Sequence, residues 1–167
     1  FGRILPRALL AKGFMFDGQR VPLVSPQGIF KPAILPEMPL TIRTKYVEDG
    51  EAAPYHDVIG TDGLLRYCYR GTNPGHRDNV GLRLAMQRQV PLIYCHGVLE
   101  GRYVVEWPVF IVGDSPGELT FTVNMDEHRF ALLGEVDAND SETDGRRRYI
   151  TRQVQQRLHQ EGFRQRV

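Results

Sequence analysis

The chain has 167 residues, 41% hydrophobic and 25% charged, with a formal net charge of +1. That is ordinary for a globule with room for one real core, and so small a net charge gives no licence by itself for a nucleic-acid partner. No apolar run approaches the roughly 18 residues a membrane helix requires, and the two cysteines, Cys68 and Cys95, lack metal-type spacing and read as reduced, buried thiols.

Residues 1–20 read as a short amphipathic lead-in carrying Ile4, Leu5, Leu9 and Leu10, then a strand at Phe14-Met15-Phe16 closed by an Asp17-Gly18 turn. Prolines stand at 22, 26, 32, 36 and 39, so the stretch from Val21 to Pro39 must be extended loop and edge rather than helix. Leu40 to Tyr46 alternates apolar and polar, which suits a strand. An acidic loop over 48–54 leads into Tyr55-His56-Asp57, and a strand follows on which Tyr67 and Tyr69 share a face because side chains alternate with period two. The loop 72–79 ends where Asp78 or Asn79 can cap a helix that runs to about Gln89, and Pro91 prevents its continuation. Val90 to Gly97, Arg102 to Val112 and Leu119 to Val123 read as strands separated by Gly turns.

The remainder divides by composition. The first 133 residues form the expected domain, 134–145 reads as a flexible polar linker, and 146–167 as a basic helix with Ile150, Val154, Leu158 and Phe163 on one stripe. That last segment holds seven Arg against one acid, Glu161, hence +6, while the rest of the chain balances at −5. Such asymmetry is compatible with a local phosphate-facing surface. Short strands around one embedded helix predict an α+β fold: a small twisted barrel-like sheet with one or two flanking helices and a C-terminal helix.

The candidate chemistry centres on 55–71. Tyr55, Tyr67 and Tyr69 supply flat rings, and Asp57 a carboxylate able to accept the exocyclic amine of cytosine. The competing readings are cross-strand or core aromatics and a loop-capping Asp. Val58 is placed to touch a ring substituent, although one buried methyl contributes only about 0.8 kcal/mol. Ile29 and Phe30 form an apolar tip between prolines that either wedges into a duplex or packs into the core. Lys31, Arg43, Lys45, Arg70, His76, Arg77 and Arg83 are candidate phosphate contacts, with a solvated polar surface as the alternative. Cys95-His96 pairs a nucleophile with a base, but adjacent strand residues face opposite ways. No catalytic constellation, metal site or cofactor loop is expected.

The order Gly28-Ile29-Phe30-Lys31-Pro32, Leu40-Thr41-Ile42, Tyr55-x-Asp57, Asp62-Gly63, Tyr69-Arg70-Gly71, Asn79-Val80-Gly81-Leu82 and Trp107-Pro108 resembles the SRA (YDG) domain, the reader of modified cytosine in the PUA-like superfamily. The likeness spans roughly 21–123. Position 58 is Val where that family usually has a second Asp, the one expected to read the amine, so Asp57 takes that role only in a reshaped loop. The resemblance implies a DNA reader that flips 5-methyl- or 5-hydroxymethylcytosine out of the duplex into an aromatic pocket. It further implies the N-terminal part of a bacterial modification-dependent restriction enzyme, cytoplasmic and nucleoid-associated, whose HNH nuclease lies beyond this fragment and through which the protein could dimerise. A PUA-like module for single-stranded or modified RNA is the alternative, and a small-ligand enzyme using the same cleft is a third.

Overall fold

A computed structural model describes residues 4–48, 51 and 57–125. Tyr55, the expected linker at 134–145 and the expected basic helix lie outside the described residues. In chain order the elements are β1 (Ile4–Pro6), α1 (Arg7–Lys12), β2 (Phe14–Phe16), β3 (Gln19–Val21), β4 (Ile29–Phe30) and β5 (Thr41–Thr44). They continue with β6 (Val58–Ile59), β7 (Leu65–Cys68), α2 (Arg77–Gln87), β8 (Leu92–Leu99), β9 (Arg102–Ser115) and β10 (Thr120–Asn124).

The Asp17-Gly18 pair turns β2 into β3 with both residues at positive φ, 48° and 73°, the twist a two-residue hairpin demands. The main sheet runs β4-β5-β8-β9-β10-β7-β6, with β1 laid on β9. Among the described residues only β5 and β8 pair in parallel. The long β9 joins the two halves of the sheet, its first part paired with β8 and its second with β10.

The fold is therefore mixed α+β and mostly sheet. Among the described residues the sheet is open, which corrects the expectation of a barrel. At 41 and 42, β5 has backbone partners on both sides, in β4 and β8, and no ladder joins it to β7. The two ends of the sheet nonetheless come together, joined by side chains: the Tyr67 hydroxyl donates to the Arg43 carbonyl at 3.3 Å.

Period-two alternation divides two cores. Ile42, Leu65, Tyr67, Tyr69, Tyr94, Phe121 and Val123 pack with Leu82 and Ala85 of α2. On the opposite face Cys95 packs with Leu10, Val24 and Tyr103. Burying a side chain such as Leu82 fully contributes roughly 1.5–3 kcal/mol. Trp107 is exposed at 59%, at the irregularity in β9 where pairing with β8 shifts register between Leu92–Val109 and Tyr94–Glu106.

Helix α2 begins one turn-step earlier than Asp78 or Asn79 would place it. Its cap is His76, whose Nδ1 accepts from the Asp78 amide at 3.1 Å. Asn79, fully buried, instead pins the preceding loop: its amide donates to the carbonyls of Arg70 and Asn73, and its oxygen accepts from the Arg70 amide at 2.9 Å. Cys68 and Cys95 are not joined in a disulfide; Cys95 is buried, as expected, but Cys68 is only half-buried, because its side chain alternates away from the core face of Tyr67 and Tyr69. No described helix is long and apolar enough to cross a membrane.

Candidate functional site

A cavity of about 240 Å³ opens between the two ends of the sheet. The β5 side contributes Arg43, Thr44 and Lys45, the β7 side Tyr67, Cys68, Tyr69 and Arg70, and Asp57 stands between them. Pro26, Gln27, Gly28 and Ile29, with Val47, form the remaining wall. Its size falls just below the roughly 300–1,000 Å³ of pockets for drug-sized ligands, which suits a single ring system.

Asp57 is held from both sides. Its Oδ2 accepts from the Thr44 hydroxyl at 2.8 Å and its Oδ1 from the Cys68 amide at 2.8 Å. One carboxylate thus staples β5 to β7 where no backbone ladder does. Burial raises its proton affinity, and the hydrogen bonds from Cys68 and Thr44 only partly offset that, so the pKa stands above the ordinary carboxylate value. A raised carboxyl is one whose charge weakens the fold as pH rises through its folded pKa. Carboxyls with perturbed pKa cluster at functional sites as well as in structural networks.

Tyr69 continues the β7 ladder, its amide donating to the Leu119 carbonyl at 2.8 Å. Its ring rests against Phe121 at a centroid distance of 4.5 Å. The phenol donates to Asp114 Oδ1, while Arg83 Nε donates to Asp114 Oδ2 at 2.6 Å and Arg83 Nη2 to the phenol oxygen at 3.2 Å. This closed triangle locks the ring in place; burial and then the Asp114 carboxylate raise the phenol's pKa, so it stays neutral. Both rings are buried, Tyr69 at 1% exposed and Tyr67 at 4%; Tyr67 lies beneath Gly28, where an added Cβ would stand 3.1 Å from its hydroxyl. Glycine at 28 is what lets the wall close on that ring.

The structure separates the other predicted residues. Ile29 is 4% exposed and belongs to the core as well as the cavity wall, so it is no exposed wedge; Phe30 is half-buried beside it. Its inward direction follows from β4 pairing with β5, which sets Ile29 opposite Ile42. Val58 stands exposed on the β6 edge and does not line the cavity.

Arg43, expected at a phosphate, is buried: its guanidinium donates to the Pro26 carbonyl at 3.1 Å and the Tyr103 hydroxyl at 3.4 Å. Strand alternation turns it away from the face of Ile42. Arg70 and Arg77 are tied to Asp78, and Arg83 to Asp114. Lys31 Nζ donates to the Arg77 carbonyl at 3.3 Å, and His76 is spent on the cap. Lys45 is exposed at the cavity lip.

Sequence reasoning passed over Thr44, Asp114 and Phe121. Thr44 closes an apolar-polar alternation and carried no other signal, and Asp114 sits 45 residues from the tyrosine it holds. Among the described residues no group of His, Cys, Asp and Glu is arranged to hold a metal ion.

Comparisons with protein-family models, with curated proteins and with solved structures return no match to this chain. What is defined is thus a class of architecture, an open α+β sheet with a small polar-floored cavity, rather than membership of a family.

Proposed function

We propose that this chain reads modified cytosine in DNA, taking the everted base into the cavity between β5 and β7 in the manner of an SRA-like, PUA-superfamily domain. The observation that carries the reading is the pairing of an acceptor-only carboxylate, Asp57, with a rigidly backed ring, Tyr69, on the wall of one base-sized cavity. Cytosine presents an N4 amine donor that a carboxylate accepts, and an aromatic face adds roughly 1–3 kcal/mol per base by stacking. Lys45 at the lip suits the flanking phosphate. Within a longer protein such a reader would direct a nuclease to modified DNA.

The test compares Asp57→Asn and Tyr69→Ala with the parent on duplexes that carry one modified cytosine. Tyr69→Ala is expected to weaken binding about 5- to 150-fold, the equivalent of the stacking contribution. Asp57→Asn is expected to erase preference for cytosine over thymine at the everted position while leaving non-specific duplex affinity in place. Unchanged discrimination in a folded Asp57→Asn protein removes the carboxylate from base reading. Preferential binding of single-stranded RNA by the parent would favour the RNA-module reading instead.

A further inference from the structure

The pocket carboxylate is the end of a longer run of hydrogen bonds. Asp57 Oδ2 accepts from Thr44 Oγ1 at 2.8 Å, Thr44 Oγ1 accepts from the Tyr94 hydroxyl at 3.0 Å, and the Tyr94 oxygen lies 3.1 Å from His96 Nδ1. Each hydroxyl has one hydrogen to give. Thr44 gives its hydrogen to Asp57 and Tyr94 gives its to Thr44, so the contact with His96 forms only when Nδ1 carries the ring proton. The run has a single direction, from His96 toward Asp57, and the ionised carboxylate sets it.

The fold builds this alignment deliberately. Tyr94 and His96 stand two apart on β8 and so share a face, and the parallel register of β5 sets Thr44 opposite His96. Gly97 permits it: a Cβ there would lie 2.4 Å from the Tyr46 amide nitrogen and 2.9 Å from the Thr44 carbonyl oxygen. Other ionisable groups around Asp57 are the Cys68 thiol and Tyr67 phenol from β7, with Arg43, Lys45 and Arg70 on the same cavity wall. Of these, the Cys68 side chain also hydrogen-bonds Asp57, directly and not through the run.

We infer that Thr44, Tyr94 and His96 are positioning residues, which aim the Asp57 carboxylate into the cavity and hold it in the anionic, amine-accepting state. Donors in series polarise one another, so the last bond to the carboxylate is stronger than an isolated hydroxyl would make it. Protonating Asp57 on Oδ2 removes the acceptor for Thr44, the run loses its direction, and the cavity keeps only a neutral, weaker acceptor for an amine. The inference rests on the proposed reading for the identity of the ligand, but not for the linkage itself.

The experiment follows the Asp57 carboxyl carbon by NMR across pH in the ligand-free full chain, for the parent, Thr44→Val, Thr44→Ser and Tyr94→Phe. Thr44→Val is expected to raise the Asp57 midpoint by about one unit, the loss of one charge-assisted bond. Tyr94→Phe should raise it by less, and Thr44→Ser should restore the parent value. In the same proteins the pH at which cytosine preference is half lost should move with the midpoint. A merely structural role predicts lower stability with the midpoint unmoved, and Asp57 midpoints in folded Thr44→Val and Tyr94→Phe that both match the parent overturn the inference. If the midpoints move while Asp57→Asn retains base discrimination, the linkage stands and the cytosine reading falls.

Discussion

Gly97→Ala probes the junction on which the cavity depends. The new Cβ would stand 2.4 Å from the Tyr46 nitrogen, 2.9 Å from the Thr44 oxygen and 3.0 Å from the Lys45 carbonyl carbon, all backbone atoms that cannot rotate aside. The chain over 44–46 must move away from β8. Overpacking of this kind costs about 1–3 kcal/mol. Displacing Thr44 weakens its bond to the Asp57 carboxylate, which contributes about 1.5–3 kcal/mol as a charge-assisted bond. The buried methyl returns only about 0.8 kcal/mol. The expected net loss is about 2–5 kcal/mol, read by urea denaturation with the slope unchanged. Gly117→Ala is the control, since nothing lies within 4 Å of a Cβ there and its stability should stay within about 0.5 kcal/mol of the parent. A Gly97→Ala protein as stable as Gly117→Ala would show that β5 and β8 do not approach as described.

Three further expectations concern the tyrosine wall and the helix cap. Phe121→Ala, at a fully buried ring behind Tyr69, should cost about 3–5 kcal/mol in urea unfolding, whereas Phe121→Leu should cost less than about 2 kcal/mol and still weaken base binding by loosening Tyr69; equal costs for the two would refute the packing described. Tyr69→Phe keeps the ring but removes its bond to Asp114, so base affinity should fall several-fold less than in Tyr69→Ala, and comparable losses would mean that the hydroxyl rather than the ring matters. Burial raises the Asp78 carboxyl's pKa, but bonds from Arg70 and Arg77 outweigh it and leave the pKa below its ordinary 3.8. A depressed carboxyl stabilises the fold above that ordinary value, and the contribution is lost as pH falls through the lower folded value. Amide exchange in the loop before α2 should therefore accelerate below pH 3.8 in the parent but show no such step in Asp78→Asn, and superimposable acid profiles would contradict the pairing.

Much of the framework was legible because it rests on local rules. The Asp17-Gly18 hairpin, the proline-rich extended stretch, the strand at 40–46 and the three strands after Pro91 all follow from turn chemistry and period-two patterning. The shared face of Tyr67 and Tyr69 was legible for the same reason, and both line the cavity. What stayed hidden depends on contacts distant in sequence. Ile29 could be tip or core until its pairing with Ile42 turned it inward. Arg43 read as a surface cation because nothing local reveals that Pro26 and Tyr103 enclose it. The closure of the sheet was misjudged too, since strand count and length do not say whether β5 and β7 meet by backbone ladder or, as here, by the Asp57 carboxylate.

The most direct measurement is an equilibrium titration of the chain against three otherwise identical duplexes bearing cytosine, 5-methylcytosine or 5-hydroxymethylcytosine at one position, at fixed salt because phosphate contacts make affinity salt-dependent. Tighter binding to at least one modified duplex, lost on Tyr69→Ala, is the expected result. Indistinguishable affinity for all three, unaffected by Tyr69→Ala, would contradict a base-receiving role for the cavity.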